Sequence, residues 1–192
     1  NQIVLLRLDL NVPILDGKIT DTNRIDKIIP TINFLLSKNA KIIIISHVGR
    51  PKGKFKNELS LQLIRDNLTS QINQNVKLEK TNVFNLKKSE LFNDADEKII
   101  ILENIRFYPE EENNNEKFSE HLAKLGDIYV NDAFSCSHRK HASVTSITKF
   151  IPSFGGLQIN LEVKALKKLT TEIKNPITCI IGGSKISTKI DI

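Results

Sequence analysis

The sequence has no methionine, no tryptophan, two tyrosines and two cysteines. Without a methionine, Asn1 does not read as an unprocessed translation start. A strand-like pattern begins at Ile3, so the chain reads as a piece of a longer one. Cys136 and Cys179 stand far apart without metal-type spacing, which argues against a disulfide framework and a zinc site and leaves two reduced thiols. Long apolar runs are missing too. None is longer than residues 42–45, which fall far short of the about 18 residues a membrane-spanning helix needs and read as a buried strand. No basic-plus-apolar segment opens the chain, so the expected place is the cytoplasm, with no membrane partner. Aromatics make up 6% and do not interleave with a basic stripe, so nucleic acid is not an expected partner despite a net charge of +6.

Arginine is the informative minority among the basic residues: of 28 basic side chains only six are Arg. Lysine supplies a point charge, whereas arginine supplies a planar fork that binds carboxylate or phosphate through two parallel hydrogen bonds. Each arginine in a lysine-rich chain therefore asks for a reason. Arg65 falls on an amphipathic helix and needs none. Arg7 lies inside a strand, where pairing with a nearby acid suffices. Arg24, Arg50, Arg106 and Arg139 call for something more.

What is present is ordinary for a soluble globular protein: 192 residues, 40% hydrophobic and 26% charged. β-branched apolar runs at 3–10, 41–47, 98–103, 127–130 and 177–181 have the continuous character of strands buried on both faces. Helical spacing recurs between them. Ile25, Ile28, Ile29, Ile32 and Leu36 follow a capping stretch at 20–22, with Pro30 as a kink. Leu61, Ile64, Leu68 and Ile72 mark a second helix. Phe118, Leu122 and Leu125 mark a third that stops at Gly126, and Leu161, Ala165, Leu166, Leu169 and Ile173 mark a fourth, long one. This alternation predicts an α/β fold, a three-layer α/β/α parallel-sheet (Rossmann-like) domain with right-handed crossovers. Residues 110–116, EEENNNE, read as a polar surface loop. A boundary is expected at 152–156, giving a domain over 1–155, a helix over 156–175, and the first strand and turn of a second domain over 176–192.

In open α/β sheets ligands bind beyond the carboxyl ends of the strands. The first strand ends in Asp9 and Asn11, and the second in Ser46, His47 and Arg50. The third ends in Glu103, Asn104 and Arg106. The fourth ends in Asn131 and Asp132, followed closely by His138, Arg139 and His141. Four guanidiniums gathered with imidazoles at one edge repel each other unless an anion joins them, so the inferred ligand is small, highly negative, and carries phosphate and carboxylate. Asp9 and Asn11 would hold hydroxyls or orient the arginines. His121 and Lys140 read as surface residues. Asn131 and Asp132 read as loop-fixing side chains, and Cys136 has no base beside it that would make it a nucleophile. Near the end, Gly182-Gly183-Ser184-Lys185 opens a helix with Lys185 and Lys189 on one face, a weak phosphate signal that does not match the Walker pattern.

Seven segments taken together are far more specific. RLDLNVP (7–13), ITDTNRI (19–25), SHVGRPKG (46–53), LENIRFYPEE (102–111), YVNDAF (129–134), HRKHAS (138–143) and GGSKISTK (182–189) resemble the phosphoglycerate kinase family, in its order and spacing. The resemblance covers the whole chain. It implies the N-terminal, glycerate-binding half of that fold, an interdomain helix, and the start of a nucleotide domain. The implied reaction is reversible transfer of the acyl phosphate of 1,3-bisphosphoglycerate to ADP, giving 3-phosphoglycerate and ATP, with Mg2+ carried by the nucleotide and a hinge closure. The whole enzyme is expected to be monomeric, and the other reading of a chain this short is a non-catalytic remnant that binds 3-phosphoglycerate at most. By the resemblance, Asp9, Asn11, Arg24, His47, Arg50, Arg106 and Arg139 fall on substrate positions. Arg24 and Lys185 steady the transferring phosphoryl group, and Lys185 and Lys189 meet nucleotide. The chain departs from the family at Ser135-Cys136-Ser137, where Gly-Thr-Ala is usual, at Thr188 for an aspartate, and at Asp191 for a glycine.

Overall fold

The computed structural model describes residues 2–94 and 96–171, together with 176, 178 and 180. In chain order the elements are β1 (Ile3–Leu8), a small hairpin of β2 (Ile14–Leu15) and β3 (Lys18–Ile19), and α1 (Asn23–Ser37). Then come β4 (Lys41–Ile45), α2 (Gln62–Ile72), β5 (Val76–Glu79), β6 (Ile99–Leu102), α3 (Pro109–Glu112) and α4 (Glu116–Ala123). The last are β7 (Ile128–Asp132), β8 (Ser153–Gly155) and α5 (Leu157–Thr171). Six strands form one sheet in the order β5-β6-β4-β1-β7-β8, and every neighbouring pair in it is parallel. The α/β fold with a parallel sheet between two helical layers is the architecture the alternating pattern predicts.

The physical cause is apolarity on both faces of the central strands. Ile42, Ile43, Ile44 and Ile45 are all 0% exposed, each worth about 1.5–3 kcal/mol relative to exposure. Ile42 and Ile44 join Val4, Leu6 and Leu8 against Ile25, Ile28 and Ile32 of α1 and Ile64 and Leu68 of α2. Ile43 and Ile45 join Leu5 and Tyr129 on the other face, against Phe118 and Leu122 of α4.

The differences from the expected elements have local causes. β1 stops at Leu8 and β4 at Ile45, each two residues early, because the Ser46 side chain takes over the ladder. Its Oγ donates to Leu8 O (2.8 Å) and accepts from Leu10 N (3.2 Å), a side-chain link in place of main-chain pairing. Helix α1 runs through Pro30 as a single element. The residue at its N-cap is Thr22, whose side chain makes no capping bond, and Asp21 Oδ1 accepts from Asn23 N at 2.7 Å within the expected capping stretch. Gly126 follows α4, but it is not in the left-handed conformation. It is needed for space, since a Cβ there would come within 2.5 Å of Leu5 Cγ. Residues 110–112 are not surface loop but part of α3, and Glu111 is 0% exposed. Strands β5 and β8 and the β2–β3 hairpin are short edge elements without an apolar run to announce them. Of the expected strand 177–181 only Thr178 and Ile180 are described, both exposed; the expected turn 182–189 lies outside the described residues, as do Ile173, Lys185, Thr188, Lys189 and Asp191.

Candidate anion-binding site

The loops after β1, β4, β6 and β7 converge at the carboxyl edge of the sheet. A cavity of about 250 Å³ there is lined by Asp9, Asn11, Arg24, His47, Gly49, Arg50, Arg106, Ser135, Cys136 and Arg139. All seven residues expected at a substrate site on the described part of the chain face this one space. Lys185 and Lys189 lie outside the described residues.

Each side chain is held by its own local structure. Arg106 is carried by a single helical turn over Ile105–Phe107, capped by Asn104, whose Oδ1 accepts from Arg106 N at 3.1 Å. The Asn104 amide is itself fixed to Val48 O and Leu59 O, both at 2.8 Å. Glu103 braces the same corner by accepting from Leu61 N and Ser60 Oγ. Arg106 Nη1 donates to Gly49 O at 3.1 Å, and its Nε lies 3.5 Å from Glu112. Burial pulls this guanidinium below its ordinary value, with Glu112 opposing and Arg139 and Arg7 adding to the fall. Asn11 Oδ1 accepts from Gly49 N at 2.8 Å, tying the β1 loop to the β4 loop. Asp9 pairs with Arg24 and receives the Ser135 hydroxyl, so a side-chain cluster drawn from three segments forms one wall of the cavity. Among the described residues, neither Arg50 nor Arg139 has a carboxylate within ion-pair distance.

His47 is buried, and its Nδ1 lies 3.0 Å from Arg7 Nη2. A guanidinium only donates, so Nδ1 accepts and the ring proton resides on Nε2. Burial, then the Arg7, Arg106, His141 and Arg139 charges, pulls this imidazole down to about 2. His47 is thus a neutral donor and not one of the site's cations, which corrects the reading of the imidazoles as part of the repelling ring. His141 is buried against Glu111 (Nδ1 to Oε1 3.7 Å) and His138 is exposed; neither lines the cavity.

Other expectations need correction. Arg7 is fully buried but pairs with no carboxylate within 4 Å among the described residues. Its partners are Ser143 Oγ, Leu8 O, Ile45 O and His47. His121 is half-buried against Phe84, 5.8 Å between centroids. Asp132 does fix loop geometry, and more besides: Oδ1 accepts from Ile159 N at 2.9 Å and Oδ2 from Thr31 Oγ1 at 2.5 Å. Gly49, Ser135 and Cys136 were not singled out as lining residues. The sequence signal for Gly49, at φ 64°, is a glycine between His47 and Arg50, and for Ser135 and Cys136 it is their departure from the family pattern.

Comparison with known proteins identifies the family. The family model described as phosphoglycerate kinase matches residues 1–192. The chain belongs to the phosphoglycerate kinase family. It is 50% identical over 193 residues to the phosphoglycerate kinase of Wolbachia pipientis wMel, covering all of this chain and 48% of that protein. It is 44% identical over 192 residues to that of Orientia tsutsugamushi strain Ikeda, covering all of this chain and 47% of that protein. Among solved structures, phosphoglycerate kinase from Coxiella burnetii superposes with a TM-score of 0.85 at 35% identity, over 99% of this chain and 48% of that one. The enzyme from Pyrococcus horikoshii OT3 does so with 0.86 at 29%, over 97% and 47%. The chain spans about half the length of the phosphoglycerate kinases it matches.

Proposed function

We infer that this chain supplies the glycerate-binding half of a phosphoglycerate kinase, which transfers a phosphoryl group reversibly between 1,3-bisphosphoglycerate with ADP and 3-phosphoglycerate with ATP. The observation that carries this reading is the single small cavity into which four guanidiniums converge, two of them without a carboxylate partner among the described residues. A cavity of about 250 Å³ is below the roughly 300–1,000 Å³ of drug-sized ligand pockets, and suits a three-carbon ligand. Arg50, Arg106 and Arg139 would grip phosphate and carboxylate oxygens by charge-assisted forks. The His47 Nε2–H would donate without adding charge. Asp9 and Asn11 would meet the glycerate hydroxyl and set the arginines around it.

Phosphoryl transfer asks for in-line positioning and for positive charge around the equatorial oxygens rather than for covalent catalysis. Arg24, half-exposed on its pair with Asp9, is placed to leave that pair for a transferring phosphoryl group, with Lys185 as its counterpart and Lys189 on the nucleotide. Nucleotide would be held by a second domain starting within 176–192 and joined to the domain 1–155 by the helix over 156–175. Closure about that helix would exclude water and strengthen the guanidinium field. The donor set of the cavity, arginines with one carboxylate already paired, does not fit a magnesium ion, so Mg2+ would arrive with ADP or ATP. Among the described residues no helix is long and apolar enough to cross a membrane. A cytoplasmic, monomeric enzyme is the setting the family reading supports.

The test is a calorimetric titration of the chain with 3-phosphoglycerate beside an Arg24→Ala, Arg139→Ala double variant. Saturable binding, weakened at least tenfold in the variant, is expected. No binding by the folded chain would overturn the assignment of the cavity.

A further inference from the structure

A buried polar chain runs from α3 to the cavity. Glu111, 0% exposed, accepts from Ser143 N (2.9 Å) and Ser143 Oγ (2.7 Å), one bond to each carboxylate oxygen. Ser143 Oγ in turn accepts from Arg7 Nε at 2.9 Å. The Arg7 guanidinium continues to His47 Nδ1 at 3.0 Å, and its Nη1 is pinned by Leu8 O and Ile45 O. The hydroxyl of Ser143 has one proton to give and gives it to Glu111, so each bond in the series has one sense. The Ser143 backbone is fixed as well, since its carbonyl accepts from Tyr129 OH at 2.7 Å.

We propose that Ser143 and Glu111, which do not line the cavity, are positioning residues for ligand binding: acting through Arg7, they fix the plane and tautomer of His47 so that Nε2–H faces the ligand. The inference rests on the cavity being a 3-phosphoglycerate site. Three features favour positioning over simple structural support. A lone guanidinium at zero exposure needs a counter-charge, yet Glu111 is reached only through Ser143, so orientation and charge balance depend on the same hydroxyl. Arg7 spends its donors on fixed acceptors, leaving the guanidinium one orientation. Finally, the end of the series is the one ring nitrogen of His47 that must stay unprotonated for Nε2 to carry the proton. A ring free to flip would present an acceptor to an anion half the time, an unfavourable contact.

The experiment measures the His47 tautomer by 15N chemical shifts and the 3-phosphoglycerate Kd by calorimetry in the wild-type chain, Ser143→Ala, Glu111→Gln and Ser119→Ala. Ser119 is a comparable buried serine, bonded to Asn115 O and Ala142 O, and controls for lost stability. The wild type is expected to show a single Nε2–H tautomer. Ser143→Ala and Glu111→Gln are expected to show tautomer mixing and a Kd raised three- to tenfold. Ser119→Ala should leave both unchanged. A pure tautomer and unaltered Kd in folded Ser143→Ala would overturn the proposal. Should Ser143→Ala not fold, Glu111→Gln decides on the same readouts. Should the wild type bind no 3-phosphoglycerate, the ligand assignment fails, while the tautomer comparison still decides whether the series controls His47.

Discussion

The carboxylate of Asp132, at the last residue of β7, accepts the amide hydrogen of Ile159 in the first turn of α5 at 2.9 Å. The same carboxylate receives Thr31 Oγ1 from α1, and a Cβ on Gly156 would overlap it. One buried side chain, 1% exposed, therefore sets where α5 leaves the sheet.

Asp132→Ala is expected to strand two donors in a buried site, at about 1–3 kcal/mol for each. Urea denaturation should show the midpoint falling with an unchanged slope. A midpoint within error of wild type would mean that α5 is placed by other contacts.

Replacing Arg139 by lysine keeps the charge but removes the fork. Losing one bidentate bond to a charged group costs about 1.5–3 kcal/mol, so the Kd for 3-phosphoglycerate should rise about tenfold or more at constant ionic strength. Equal affinity in Arg139→Lys would show that only net charge matters there.

Acid should destabilise the fold through His47 and His141, held down to about 2 and about 4, first by burial and then by nearby arginines. Arg7, Arg106, Arg139 and Glu112 bear on His141, and Arg7, Arg106, Arg139 and His141 on His47. Both native values lie below that of the unfolded imidazole. The unfolded chain therefore takes up protons the native one refuses, and stability that is whole above pH 6.5 is lost as pH falls. Each histidine accounts for about 2 kcal/mol by pH 5. Glu111, pushed up by burial, works the other way, so the net loss is smaller than the pair alone would give. Urea midpoints at pH 7.5 and 5.0 check this; a midpoint that is flat or higher at pH 5.0 would refute it.

Gly126→Ala places a methyl 2.5 Å from Leu5 Cγ in the core. Overpacking of that kind costs about 1–3 kcal/mol, read as a lower melting temperature. Shortening the obstacle in Leu5→Val, Gly126→Ala should recover part of the loss if the clash is the cause.

The legible parts of this protein were those with a repeating or clustered signal. β-branched apolar runs announced four central strands, helical spacing announced α1, α2, α4 and α5, and the rarity of arginine isolated Arg24, Arg50, Arg106 and Arg139. Strands β5 and β8 escaped because an edge strand needs no two-sided apolar run. Glu111 escaped because it lies in a run of acids, and sequence carries no mark of which carboxylate faces inward.

The layered α/β class, the apolar centre of the sheet, and the residue types available at its carboxyl edge are legible in the chain alone, because these depend on local pattern and on strand polarity. Only the tertiary structure decided that seven of those side chains share one cavity. It also decided that Asp9 pairs with Arg24, that Arg7 serves His47 rather than an acid, and that His47 is a neutral donor. Those facts depend on which loops meet and on how far each group is removed from water. Both are set by packing between residues as distant in the chain as Arg7 and Ser143.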